Sequence, residues 1–419
     1  MTPAARAQAV IEILSALENT AQPADRFLRD WFRQRRYAGS GDRAAVAERI
    51  YDIFRHRASY AWRMDSDHPR ALVIASLMRG NADVSEIFNG ARYAPALLTE
   101  TEMSALANRP KEPPPLNVAG EFPDWLEPEL TRSLGDQVLP ELQAMLSRAP
   151  VDLRANRLKY SRDRLSAELT ALGFDARATE FAPDGVRLNA GAGLNALQNT
   201  GLFKSGGFEF QDEGSQILAC LVEPKSGERI LDFAAGAGGK TLALAAAMQN
   251  TGVIDAYDAQ LERMKPLPER ASRAGANNIR IVTDPAALAQ DYDAVLIDAP
   301  CSGSGTWRRN PDAKWRLTPQ TLAKLHQVHA EILDSAARHV RPGGRLLYAT
   351  CSLLKSENED AVGAFLSRNR AFRHIAVETI WNRAFLVKVP RESSQDFHGS
   401  PFKTGTDGFF ASMMQRVER

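Results

Sequence analysis

From about residue 209 onward, short apolar runs alternate with longer stretches whose apolar residues recur at helical spacing. The runs predict strands at 229–233, 253–257, 279–283, 293–298 and 344–350. The longer stretches predict helices at 212–222, 239–249, 260–274, 319–340 and 357–367. Strand and helix in alternation imply an α/β architecture, a mostly parallel, doubly wound sheet with helices on both faces. A late apolar run, Phe409 to Val417, is expected to close the sheet as an antiparallel edge strand.

Ahead of this region the pattern changes. Thr2-Pro3 is a helix-start signal, and Ala7, Val10, Ile11, Leu14 and Leu17 form a helical stripe behind it. Ala44 to Phe54, Ala71 to Met78 and Pro95 to Leu106 predict further short helices, the last with proline at its permitted first position. Residues 108–124 carry prolines at 110, 113, 114, 115 and 123, too many for a regular element, and are expected to be a linker. A second unit at 125–208 mixes a helix (Trp125 to Leu146), a strand (Asp152 to Leu158), a helix (Arg162 to Leu172) and a strand (Gly185 to Leu188). No internal repeat interrupts this order.

A length of 419 residues suits two or three domains with a large core. Composition is ordinary for a globular chain: 44% apolar, 25% charged, net charge +1. Apolar runs are too short for a membrane span, and Glu12 and Glu18 interrupt the stretch a signal peptide would need. Three cysteines make no disulfide framework and fit a reducing cytoplasm. The balanced charge hides a local bias. Between Arg26 and Arg63 lie ten arginines and four acids, interleaved with Trp31, Phe32, Tyr37, Tyr51, Phe54, Tyr60 and Trp62. Arginine forks suit phosphates and aromatic rings can stack on bases, so this surface could contact RNA; the alternative is an amphipathic domain with a buried aromatic core. Arg154, Arg157, Lys159, Arg162 and Arg164 allow RNA contact in the second unit as well.

Two of the cysteines stand at predicted strand ends. Cys301 lies in Asp298-Ala299-Pro300-Cys301-Ser302-Gly303, after Ala294-Val295-Leu296-Ile297. Cys351 lies in Thr350-Cys351-Ser352, after Leu346-Leu347-Tyr348-Ala349. Carboxyl ends of parallel strands line the ligand crevice, so both thiols are expected to face one cavity, where they suit chemistry on an electrophilic ring. Cys220 lies on an apolar helix face and is assigned to packing.

The strand at 229–233 runs into Ala234-Ala235-Gly236-Ala237-Gly238-Gly239-Lys240-Thr241 and then a helix. Such a turn lets backbone approach a ligand. A P-loop would need glycine at position 234, and a dinucleotide fingerprint starting at Gly236 would need a Gly or Ala at 241; both fail. S-adenosylmethionine, with no pyrophosphate to cradle, asks for space instead. Asp232 could meet its ammonium group, Asp258 its ribose hydroxyls and Asp284 its adenine amino group. Each acid alone would be an ordinary turn or cap residue; the series at successive strand ends is what favours the cofactor. Lys240 is either an orienting charge for substrate or cofactor, or a first-turn residue facing solvent.

These residues together resemble the Nol–Nop–Sun RNA (cytosine-5) methyltransferases: the cofactor loop, Asp-Ala-Pro-Cys, Thr-Cys-Ser and the trailing Asp407-Gly408-Phe409-Phe410. Phe210 to Gln216, Arg309-Asn310-Pro311-Asp312 and Glu357-Asn358-Glu359 also match, and the helical start is similar to the NusB-type domain of the bacterial RsmB group. The resemblance implies a class I S-adenosylmethionine-dependent methyltransferase with a Rossmann-like doubly wound sheet. It also implies an N-terminal all-α NusB-like RNA-binding domain with its linker (1–124), a small α/β RNA-binding subdomain (125–208) and a catalytic domain (209–419). The implied substrate is a cytosine of ribosomal RNA, with transfer RNA or a non-catalytic role in ribosome assembly as alternatives. The protein would be a cytoplasmic monomer, without metal and without a membrane.

By the same resemblance Cys351 is the nucleophile, Cys301 assists proton removal and release, Asp298 hydrogen-bonds the base and Lys240 helps keep a thiolate ionised. Cofactor-binding residues would be Ala234, Ala235, Gly236, Ala237, Gly238, Gly239, Lys240, Asp258, Arg263, Asp284 and Asp298. The family's loop usually has Cys, Ala and Pro where this chain has Ala234, Gly236 and Ala237. None of these takes part in the reaction, so the departure is expected to alter loop packing alone.

Overall fold

The computed structural model describes every residue except 109, 190, 392 and 419. Contacts gather the chain into two units, Met1–Ser147 with Trp307–Thr318, and Arg148–Thr306 with Pro319–Arg419.

The first unit is helical. Thr2 caps the opening helix, Pro3–Leu17, by accepting the Ala5 N–H at 3.1 Å, and Val10, Ile13 and Leu14 bury its inner face. The helix Ala24–Gln34 has no counterpart in the sequence reading: Leu28, Trp31 and Phe32 are buried, but arginines and aspartates crowd the positions between. Helices Ser40–Arg55 and Pro69–Arg79 take in the predicted 44–54 and 71–78. The helix expected from Pro95 begins instead at Glu100, because Thr99 and Glu102 form a capping box that satisfies the first backbone donors there. The expected linker also holds a helical turn, Leu116–Ala119, and buries Val118 and Phe122. The expected helix Trp125 to Leu146 is divided into Glu127–Leu134 and Val138–Ala144 by Gly135, whose φ is 54°.

Trp307–Thr318 follows the Cys301 loop in sequence but packs within this first unit. The Trp315 indole N–H donates to Phe54 O at 2.6 Å, and Asp312 accepts the Ala24 N–H at 3.2 Å. Lys314 is buried and donates to Arg55 O at 3.4 Å. Burial pushes its ammonium down to about 7, with the Glu121 carboxylate working against the shift. An unfolded lysine keeps its proton to about 10.5, so from about 7 to 10.5 the unfolded chain binds more protons than the folded one. Stability from this group should therefore rise with pH across that window. Thermal melts of Lys314→Met are expected to show a flatter pH dependence there than the parent; equal slopes would mean that the folded lysine is charged.

The second unit contains two sheets. The smaller is antiparallel, with strands β1 (Val151–Ala155), β2 (Arg177–Ala178), β3 (Gly185–Leu188) and β4 (Phe208–Phe210) in the order β2-β3-β1-β4. The helix Arg162–Ala171 covers it, packing Leu165 and Leu169 against Leu153, Val186 and Phe208. The larger sheet holds β5 (Arg229–Asp232), β6 (Val253–Ala256), β7 (Ile279–Ile281), β8 (Tyr292–Asp298), β9 (Val340–Thr350), β10 (Phe372–Ile375), β11 (Phe397–Gly399) and β12 (Phe409–Arg416). Its order is β10-β12-β9-β8-β5-β6-β7, with β11 also paired to β12. Strands β9, β8, β5, β6 and β7 run parallel, as the alternation predicts.

The last strand departs from expectation. β12 is antiparallel but is no edge: it pairs with β9 on one side and with β10 and β11 on the other. Phe409 to Met414 are all buried, as suits an inner strand covered on both faces. The expected helix 260–274 is also split, into a 3-10 turn at Leu261–Met264 and a helix at Leu267–Ala274, with Pro266 and Pro268 at the break. Successive residues of the central strands feed opposite cores. Leu296 joins Ile217, Leu244 and Trp381 on one face, while Val295 and Ile297 join Tyr348, Phe365 and Phe410 on the other. Among the described residues no helix is long and apolar enough to cross a membrane.

Candidate active site

The sheet register sets the two thiols. β8 and β9 are neighbours with Asp298 opposite Ala349, and the Ala299 N–H donates to Ala349 O at 2.8 Å, so both chains leave the sheet at the same level. Cys301 and Cys351 follow at once, and their sulfurs lie 3.4 Å apart. Both keep some exposure. The hydrogen bond to Cys351, burial and the negative charges of Cys351 and Glu357 hold the Cys301 thiol well above its ordinary range. Cys220 packs against the sheet core, and burial pushes its thiol up to about 12, which fits packing rather than chemistry.

Beside the thiols, Lys240 donates to Asp298 Oδ2 at 2.6 Å. Lys240 is buried in the first turn of the helix Gly239–Ala247, so the solvent-facing alternative does not hold. Asp232 ends β5 with its Oδ2 accepting the Thr241 hydroxyl at 2.7 Å. Its Oδ1 is buried and has no hydrogen-bond partner among the described residues. Burial, reinforced by the Asp298 charge, pushes the carboxyl up to about 6.

The loop from Ala234 to Gly239 lies at the same end of the sheet. Gly238 has a φ of 82°, and a side chain there would come within 2.2 Å of Leu267, so glycine is required. Asp258 accepts the Gly236 N–H at 3.0 Å and the Gln260 N–H at 2.8 Å, and pairs with Arg263 at 3.3 Å. Asp284 is exposed just past β7, where it accepts the Ala286 N–H at 2.9 Å. The three acids thus follow the neighbouring strands β5, β6 and β7 in turn.

Several residues acquire roles the sequence did not suggest. Arg154, grouped above with bases available to RNA, is buried; it donates to Gly239 O at 2.8 Å and to Gln211. Arg270 links Glu209 of β4, at 2.8 Å, to Ala237 O at 2.5 Å. The small sheet therefore braces the cofactor loop from two of its strands. Lys159 is likewise spent on Ser205 O and Arg273 O, each at 2.7 Å. In the helical unit Trp31, Phe32, Phe54 and Tyr60 are core, whereas Tyr37 is 71% exposed. Nothing in the local spacing marked these residues, because each partner comes from a distant element.

The trailing Asp-Gly motif also finds its reason here. The Gly408 N–H donates to Gly305 O at 2.7 Å, beneath the Cys301 loop. A Cβ on Gly305 would lie 2.1 Å from Gly408 O, too close for any side chain. Gly305→Ala is expected to force these backbones apart, lowering stability by about 1–3 kcal/mol in urea unfolding. An unchanged unfolding midpoint would show the contact to be slack.

A parallel sheet with a glycine-rich turn and acids at successive strand ends defines the fold of class I S-adenosylmethionine-dependent methyltransferases. Residues 219–415 match the family described as 16S rRNA methyltransferase RsmB/F, and residues 122–195 match the ferredoxin-like domain described as RsmF/B-like. The chain is similar to this RsmB/F family over both of these regions. It is 31% identical over 303 residues to the probable ribosomal RNA small subunit methyltransferase B of Bacillus subtilis, covering 70% of this chain and 66% of that one. It is 36% identical over 251 residues to the ribosomal RNA small subunit methyltransferase B of Klebsiella pneumoniae, covering 59% and 57%. The match therefore spans less than two thirds of either relative's length. The crystal structure of PH0851 superposes with a TM-score of 0.76 at 25% identity, over 99% of each chain. The residues at this end of the sheet suit S-adenosylmethionine. The orphaned, buried oxygen of Asp232 fits its ammonium group, and the open glycine turn fits a ligand without a pyrophosphate.

Proposed function

We propose that this protein transfers a methyl group to C5 of one cytosine in 16S ribosomal RNA, acting as a monomer in the cytoplasm. The observation that carries this reading is the 3.4 Å separation of two thiols at the ends of adjacent parallel strands. Cytosine C5 is a poor nucleophile on its own. Addition of the Cys351 thiolate to C6 forms an S–C6 bond and moves the ring electrons toward C5, dividing one hard step into easier ones. S-adenosylmethionine, when bound, supplies an electrophilic methyl on its sulfonium. Asp232, Asp258, Asp284, Arg263 and the 234–239 loop would hold it.

Asp298 accepts a hydrogen bond from the amino group of the base, beside N3. Lys240, at 2.6 Å from Asp298, offsets the negative charge that develops on the ring. Once the Cys351 sulfur is bonded to carbon, its hydrogen bond and charge, the first of them the largest influence raising the Cys301 thiol, are gone, while burial and Glu357 still act on it. Cys301 can then lose its proton to solvent and take the C5 proton as a base. The C5–H electron pair becomes the C5=C6 bond, the S–C6 bond breaks, and Cys351 leaves as a thiolate.

The target base leaves its stack to enter this site, which costs least in a loop or unfolded stretch of RNA. We assign residues 1–124 as the NusB-like RNA-gripping domain, with exposed Arg26, Arg36 and Tyr37, 125–208 as the small RNA-binding subdomain, and 209–419 as the catalytic domain, with 125–147 and 307–318 packing in the helical unit. Bisulfite sequencing of ribosomal RNA from cells lacking this protein tests the reading. One cytosine should lose its protection; full protection throughout 16S RNA would refute it.

A further inference from the structure

We propose that Glu357 is a positioning residue for this reaction: one buried carboxylate fixes the Cys301 loop against the Cys351 loop through the serine that follows each cysteine. The proposal rests on the function just proposed. Glu357 is fully buried. Its Oε1 accepts the Ser302 N–H at 2.8 Å, and its Oε2 accepts the Ser302 hydroxyl at 2.5 Å and also the Ser352 hydroxyl. The two halves of the site come from strands β8 and β9 and meet on a single side chain.

The surrounding bonds make this junction stiff. Ser352 Oγ accepts the Leu354 N–H at 3.0 Å, and Ser304 Oγ accepts the Leu353 N–H at 2.8 Å while lying 3.0 Å from Ser352 Oγ. The Cys351 carbonyl accepts the Gly305 N–H at 3.0 Å. Glu357 is itself held, since its carbonyl accepts the Tyr348 hydroxyl at 2.6 Å. Its neighbour Asn358 accepts the Thr350 hydroxyl at 2.6 Å and donates to Ser352 O at 2.9 Å. Neither loop can shift without breaking a bond to Glu357 or one of these direct loop-to-loop bonds, so Glu357 shares in setting the sulfur–sulfur separation.

A carboxylate suits the place better than an amide. Three donors converge on it, and only an ionised carboxyl accepts at both oxygens without presenting a donor of its own. Its charge also discourages a second thiolate at Cys301 next to Cys351. Nearby groups include the Tyr348 hydroxyl, whose ionisation is opposed by burial and by the Glu357 charge, and His329. The His329 Nε2–H donates to Pro300 O at 2.7 Å, and burial pushes its ring below the usual imidazole range.

Glu357→Gln keeps the shape and removes the charge. In full-length protein with S-adenosylmethionine and 16S RNA, kcat should fall on the order of 10²-fold, with KM for the cofactor little changed. In a Cys351→Ala background, the midpoint of Cys301 alkylation by iodoacetamide against pH should move to lower pH with Glu357→Gln, which a merely structural role would not produce. Ser302→Ala serves where Glu357→Gln lacks a cooperative melt: kcat should fall while the alkylation midpoint does not drop. Unchanged kcat, or a kcat loss with an unmoved Glu357→Gln midpoint, overturns the proposal. Absence of cytosine methylation by the parent protein would refute the proposed function instead, and the alkylation midpoint would still judge Glu357.

Discussion

Cys351→Ala is expected to abolish methyl transfer from labelled S-adenosylmethionine to RNA, and Cys301→Ala to accumulate a covalent protein–RNA adduct on a denaturing gel. The two phenotypes differ because the thiols act at opposite ends of one sequence of steps. Without Cys351 no S–C6 bond forms, and C5 never becomes nucleophilic enough to be methylated. Without Cys301 the bond forms and C5 is methylated, but the C5 proton stays and Cys351 cannot leave. The sulfurs lie 3.4 Å apart, so either could reach the same ring atom, and the roles are separated by environment rather than distance. Cys301 is held protonated by the Cys351 hydrogen bond, burial and nearby negative charge, which disfavours it as the attacking group. Exchange of the two phenotypes would reverse the assignment.

The second large effect falls on the ion pair beside them. Asp298→Asn and Lys240→Met are each expected to lower kcat by about 10²–10³-fold, the range seen when one preorganised electrostatic group is lost. Their effects should not multiply. The 2.6 Å contact makes each residue the other's orienting partner, so removing the second after the first takes away little more. Lys240 is buried, and Asp298→Asn would leave its charge without the carboxylate it hydrogen-bonds. That variant should therefore also lose stability, which thermal melts would register. Fully multiplicative kcat losses would mean that the two side chains act on the substrate independently.

Much of this site could be read before any coordinates. Apolar runs such as Ala294 to Ile297 mark strands covered on both faces, and a cysteine directly after such a run has little freedom to be anywhere but the carboxyl end. Adjacent strands then bring Cys301 and Cys351 together. The same local signal placed Phe409 to Val417 as a strand but not within the sheet. Whether a strand is edge or interior depends on β10 and β11, short segments with no periodic pattern. Helix 24–34 escaped notice because charged residues fill most of its turns, and its inner face is supplied by only a few apolar side chains. Glu357 illustrates the limit most clearly. Its partner Ser302 is 55 positions away, so no local spacing could disclose that both cysteine loops hang on it. Arg154 shows the converse: clustering with other bases suggested RNA, while folding spends it on a carbonyl of the cofactor helix.

The division of labour between the sulfurs can be read directly by trapping the adduct in the unaltered protein. RNA carrying 5-fluorocytidine at the target offers no C5 proton to remove, so the covalent complex cannot resolve. Incubation with S-adenosylmethionine, digestion and mass spectrometry of the modified peptide would show which sulfur carries the base. A methylated fluorocytosine on Cys351 is the predicted result, and the same group on Cys301, or on neither, would contradict it.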